Sequence, residues 1–286
     1  MQLNQSGTGI NYWENPGAFY IDAMVNTVFT EKERETYWQV AGRYDQCFQL
    51  AKQGKLTEAQ LVYESCCTIS KEVRPQLLNW VLAFYGQRLC YYHYKMKDYN
   101  EGVALTMTIV ESVKRLRQNG YHYLFFVDIQ QQLNLARIYF ELNETALAIS
   151  LCANSIISMY KQAGTLNSNN MINEVPESRL IEVTQYGMLI EVLAETCNRT
   201  FFKLKEDTDS LESAMMSFVK PLLQLNFSVL SVDSRYACID KFISLVSGLC
   251  GYNELKDDDI LFFMTSPNVD RKLLRVLNNY ITLVNA

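Results

Sequence analysis

Proline and glycine are scarce, 5 and 12 in 286 residues, which excludes collagen-like repeats, proline-rich spacers and low-complexity tethers. Histidine is scarcer, with only His93 and His122. Neither has a Cys, His or carboxylate partner at zinc-ligand spacing, so no metal site is expected. There is no CxxC pair and no GxSxG, GxGxxG, P-loop or HExxH motif. The chain therefore offers no phosphate cradle, nucleophile elbow or metalloprotease helix, and it is expected to be no enzyme and to need no cofactor. Positive charge is short as well, 26 Lys and Arg against 31 Asp and Glu, for a net charge of −5. A field of that sign does not hold a nucleic-acid backbone, so no nucleic-acid partner is expected. No apolar run approaches the roughly 18 residues of a membrane span. The opening MQLNQSGTGINYWENPG has neither the basic start nor the apolar stretch of a leader. The expected setting is intracellular and cytoplasmic, with no membrane partner.

What the sequence does hold is apolar material, 49% of residues, enough for a large core. The eight cysteines, Cys47, Cys66, Cys67, Cys90, Cys152, Cys197, Cys238 and Cys250, lie in segments of helical apolar spacing and read as small buried hydrophobes. Helix starts are legible where an N-cap oxygen precedes Glu or Gln by three residues: Thr30 with Glu33, Thr57 with Gln60, Asp98 with Glu101, Asp209 with Glu212. Pro16, Pro75 and Pro176 suit first-turn positions, and Gly54, Gly120, Gly164 and Gly251 suit helix ends. Eleven or twelve helices and no strand follow. Between Thr30 and Gln53 two apolar stripes coexist, Tyr37, Ala41, Tyr44, Phe48 and Ala51 beside Val40, Cys47 and Leu50. A helix apolar on two faces packs between neighbours, as in layered antiparallel helices.

Three segments superpose on one template: 50–66, 92–110 and 138–156. In each, a helix ends in a polar turn and the next helix begins near a small residue, Ala59, Gly102 or Ala148, at separations of 43 and 46 residues. A looser fourth unit centres on Ala214. The segment LARIYFELNETALAIS, with Leu135, Ala136, Tyr139, Ala148 and Ile149, resembles the tetratricopeptide repeat (TPR) family. Gly54, Ala59 and Tyr63, then Asp98, Tyr99 and Gly102, are weaker copies. The repeat is longer than the family's and lacks its closing proline, and the resemblance covers about residues 36–160.

The resemblance implies an all-α, right-handed α-solenoid of antiparallel helical hairpins, TPR-like, with a less regular C-terminal helical region. Its divisions are 1–163 for the N-terminal repeats, a loop at 164–175, and C-terminal helices and cap at 176–286, in one continuous solenoid. It also implies a concave groove lined by the first helix of each hairpin. The matching positions are Tyr44, Phe48 and Lys52, then Arg88, Tyr91 and Lys95, then Gln130, Asn134 and Arg137. Aromatic rings beside cations suit a protein or peptide carrying acidic and apolar residues. The expected function is a protein–protein interaction scaffold or adaptor; the alternative is a regulator responding to a peptide or small ligand. The last helix, with Leu273, Leu274, Val276, Leu277, Tyr280, Ile281 and Val284, is expected to cap the stack or serve self-association.

Overall fold

A computed structural model of the protein describes residues 16–166, 178–230, 235–266 and 269–284. Among the described residues it contains twelve α-helices, two short 3-10 turns and no strand. The helices are α1 (Pro16–Val28), α2 (Glu31–Lys52), α3 (Leu56–Glu72), α4 (Pro75–Met96), α5 (Tyr99–Gln118), α6 (Phe125–Glu141) and α7 (Thr145–Leu166). They continue as α8 (Ser178–Leu204), α9 (Thr208–Val219), α10 (Arg235–Leu249), α11 (Asp257–Thr265) and α12 (Arg271–Val284).

The turns explain why the hairpins repeat. Gly54, Lys97 and Asn143 end α2, α4 and α6 in left-handed conformations, with φ of 77°, 59° and 63°. At each, two amides fold back on the helix: Gly54 to Ala51 and Lys55 to Leu50, Lys97 to Tyr94 and Asp98 to His93, Asn143 to Phe140 and Glu144 to Tyr139. These bonds satisfy carbonyls that a helix end leaves open. The carbonyls of Lys55, Asp98 and Glu144 then accept the amides of Ala59, Gly102 and Ala148. The residue that closes one helix thus opens the next, which places a small residue at the fourth position of α3, α5 and α7. Ala59, Gly102 and Ala148 are all buried, and a Cβ on Gly102 would lie 3.3 Å from Ile138 Cδ1. Close helix approach requires the small side chains.

Several expected boundaries move. Thr30 does cap α2, with the Glu33 carboxylate accepting its amide at 3.0 Å. Thr57 does not cap α3, because the turn geometry makes Lys55 the N-cap. Asp98 is the N-cap of α5 but its side chain bonds no amide there. At α9 the cap is Asp207, accepting from the Ser210 amide at 3.1 Å, so Asp209 lies inside the first turn. Gly164 lies within α7 and does not end it. In α9 the buried fourth residue is Leu211, not the half-buried Ala214. Pro176 and most of the expected 164–175 loop lie outside the described residues.

Consecutive helices from α2 to α11 pack on one another, and alternate helices also touch: α2 with α4, α4 with α6, α6 with α8. One layer therefore holds α2, α4, α6 and α8, backed by α3, α5, α7 and α9. The 27-residue α8 contacts α1, α6, α7, α9 and α12, tying the two halves into one core that runs from Tyr20 to Tyr280. No described helix is long and apolar enough to cross a membrane.

Candidate functional site

The layer formed by the first helix of each hairpin carries a cavity of about 520 Å³. Phe48 of α2 lines it, with Arg88, Tyr91 and Tyr94 of α4, Gln130, Asn134 and Arg137 of α6, and Glu195 and Arg199 of α8. A second cavity of about 610 Å³ shares Gln87, Arg88 and Gln130 with the first and is walled on one side by Gly17, Ala18 and Ile21 of α1. A third, about 250 Å³, shares Glu195 with the first and lies under Lys272 and Arg275 of α12. The three cavities are neighbours with shared wall residues, and they are taken together below as the groove.

Of the nine positions singled out in the sequence, the fold brings six to this groove: Phe48, Arg88, Tyr91, Gln130, Asn134 and Arg137. Tyr44 is instead buried and hydrogen-bonded to Ser70 of α3 at 2.8 Å. Lys52 is exposed in the last turn of α2, outside the cavity lining. Lys95 is exposed at the edge, its ammonium 5.5 Å from the Tyr91 ring. Sequence reading missed Gln87, Tyr94, Glu195 and Arg199. The one local signal was the helical spacing of Glu195 and Arg199, four residues apart on α8.

The aromatic end is built from edge contacts: Phe48 meets Tyr91 at 4.9 Å, and the Arg88 guanidinium lies 4.5 Å from the Tyr85 ring. Phe48, Tyr85, Tyr91 and Tyr94 all remain half-buried. The charged end is a closed network. Arg88 pairs with Asp45. Arg137 reaches Glu191 and Glu195, both at 3.1 Å, and donates to Asn134 at 2.9 Å. Arg199 pairs with Glu195 at 2.6 Å and Glu141 at 3.2 Å, and Glu141 also accepts the Tyr94 hydroxyl at 2.9 Å. Burial pushes the Glu195 carboxyl up, but Arg137 and Arg199 outweigh it and hold the group below the ordinary carboxylate range. These bonds clamp α6 to α8 and α4 to α6.

The remaining chemistry candidates lie elsewhere. His93 is buried edge-on against Tyr63, with its Nδ1 3.5 Å from Asp98. Burial pushes its pKa down, against the pull of Asp98 and Glu101. Neither histidine lines the groove. All eight cysteines are free thiols, with Cys67 alone exposed, and burial raises Cys47 and Cys90 to about 11. Such thiols are poor nucleophiles. Of the α12 residues expected to cap or self-associate, Leu273, Val276, Leu277 and Tyr280 are buried where α12 packs on α8, Leu274 is half-buried, and the side chains of Ile281 and Val284 lie outside those described. No cluster of metal-ligating side chains occurs among the described residues. No protein-family model, curated protein or solved structure matches the chain.

Proposed function

We propose that the chain is a non-enzymatic interaction protein, a TPR-like α-solenoid that binds a peptide segment of a protein partner in the groove along α2, α4, α6 and α8 and acts as a scaffold or adaptor. The observation that carries this reading is the division of labour in the groove. Arg88, Arg137 and Arg199 are paired with carboxylates, while the rings of Phe48, Tyr85, Tyr91 and Tyr94 stay half-exposed around open volume. Half-exposed aromatics offer large contact area at low entropic cost. Arg88 and Arg137 are already engaged by carboxylates, so the groove's first demand on a partner is an apolar or aromatic anchor, not an acid. Helix α1 supports this: Tyr20 stacks on Tyr123 at 4.1 Å and approaches Phe84 at 6.1 Å, an internal helix docked by aromatic contact beside the groove.

The test is a photo-crosslinking amino acid in place of Gln87, with the same label at exposed Leu61 of α3 as control. A partner crosslinked from Gln87 and not from Leu61, and lost on Tyr91→Ala, is the expected result. Equal crosslinking from both positions overturns the groove. The volumes of about 520 and 610 Å³ also match small-molecule sites, which favours a ligand-responsive regulator as second reading. That reading predicts a ligand-dependent rise in melting temperature with no crosslinked protein.

A further inference from the structure

Helix α1 is pinned at two points, and this fixes where the chain before it enters the fold. At its C-terminal end the Arg34 guanidinium donates to the carbonyls of Asn26 and Phe29 at 3.3 and 3.2 Å, and the Phe29 ring lies edge-on to Trp80 at 6.2 Å. Near its N-terminal end Tyr20 is buried against Tyr123 and Phe84. The first turn of α1, through Gly17 and Ala18, walls the cavity of about 610 Å³. The lining of that cavity includes Phe84, Phe126, Val127, Val183 and Met188, and it meets the aromatic cavity at Gln87, Arg88 and Gln130. The residues before Pro16 are therefore delivered at the groove.

Their chemistry matches what the groove asks for. Residues 2–13 contain no Asp, Glu, Lys or Arg, and they close with Ile10, Tyr12 and Trp13. Arg88, Arg137 and Arg199 are already paired with carboxylates. An uncharged segment leaves those pairs intact, whereas a charged one would compete for them. The reach suffices as well. Gly17 and Gln87 line the same cavity, so Trp13 has one cavity to cross, and the four residues between Trp13 and Gly17 span at most about 14 Å against a helix spacing of about 8–10 Å. From this we infer that residues 10–13 occupy the groove in cis, with Tyr12 and Trp13 as its aromatic anchors. A tether this short gives an effective concentration of about 1 mM, so an intrinsic dissociation constant of about 0.1 mM keeps the groove about nine-tenths filled. A partner peptide then binds only by displacing the segment. That consequence rests on the peptide-groove reading; the occupancy itself does not.

The experiment places the photo-crosslinking amino acid at Gln87 of the full chain, with exposed Leu61 as control position, and irradiates an equal mixture of isotope-labelled and unlabelled protein. Mass spectrometry of the digest should show Gln87 linked to residues 10–13 of the same chain, with no such link from Leu61. A synthetic peptide of residues 8–15 in excess should suppress the link. The same peptide should bind the Tyr12→Ala, Trp13→Ala double variant about tenfold more tightly than the wild type, because the tethered competitor is gone. An unchanged circular-dichroism melt checks that the variant keeps its fold, and suppression of the link by free peptide needs no variant. Absence of a link to residues 10–13, an equal link from Leu61, or a link the peptide does not suppress overturns the inference. A link that joins labelled to unlabelled chains also overturns it, in favour of a second copy as occupant. If the cis link forms and Gln87 captures no partner even in the double variant, the occupancy stands and the adaptor reading fails. If a partner is captured and the cis link is absent, only the occupancy fails.

Discussion

Glu195 is the residue on which the groove's charge network turns, because its Oε1 accepts from both Arg137 and Arg199. Removing it leaves two half-buried guanidiniums short of a carboxylate. Its side chain is 26% exposed, so solvent screens part of that penalty, and Glu195→Gln should cost about 2 kcal/mol, between surface and fully buried pairs. The sign of the pH dependence follows from the depressed pKa of the folded state. The stabilisation is complete above the unfolded carboxyl pKa, about 4.3, and is lost as pH falls through the lower folded value. Urea denaturation of wild type and variant should therefore show a gap at pH 7 that narrows below about pH 4. A gap constant from pH 7 to pH 3 would mean that the carboxylate charge does not stabilise the fold. The sequence announced Arg137 but not this partner, 58 residues away, because no local pattern records a contact between α6 and α8.

At the scale of elements, the hairpin turn is the unit that repeats, and its weakest copy is at Lys97. Gly54 takes the left-handed conformation without penalty, whereas Lys97 adopts it at φ 59° with a Cβ that crowds the backbone. Lys97 is exposed, so Lys97→Gly alters little besides this strain. It should raise stability by about 0.5–1 kcal/mol, the relief exceeding the added freedom of the unfolded chain. Chemical denaturation reads this directly, and a loss of stability would show that the lysine side chain contributes more than its conformation costs. Glycine after a helical run was visible in the sequence at Gly54, Gly120 and Gly251, all of which have positive φ. The equivalent stops at Lys97 and Asn143 were not, since neither residue type signals the conformation as glycine does. The capping boxes failed for a related reason. A Thr or Asp three residues before Gln or Glu can sit at the N-cap or inside the first turn, and at α3 the preceding turn, closed by Lys55, decides which.

For the whole molecule, the question is whether the halves before and after 167–177 behave as one. The contacts of α8 with α6 and α7, and of α7 with α9, cross that interval, and a single buried cluster spans it. A shared core of this kind predicts one cooperative transition. The three tryptophans, Trp13, Trp38 and Trp80, all lie in the first 80 residues, so their fluorescence reports the N-terminal side while far-UV circular dichroism reports every helix. The two urea curves should coincide. Separate midpoints would make the C-terminal helices an independent unit, in the manner of repeat arrays whose cooperativity breaks down.

The sequence by itself determined the all-helical class, the number of helices, and the small residues that open α3, α5 and α7. Each of these is local, set by apolar period, helix-stop chemistry or side-chain volume within one hairpin. Six groove residues were legible because first helices that stack side by side present the same face, so a repeat register carries over from one hairpin to the next. Tertiary structure alone decided that Tyr44 turns outward to Ser70, that Glu195 and Arg199 complete the groove, and that α12 returns over α8 with Lys272 and Arg275. Pairing of charges across helices dozens of residues apart depends on how the layers stack, and apolar periodicity is blind to it. The same stacking neutralised the arginines that looked free in the sequence.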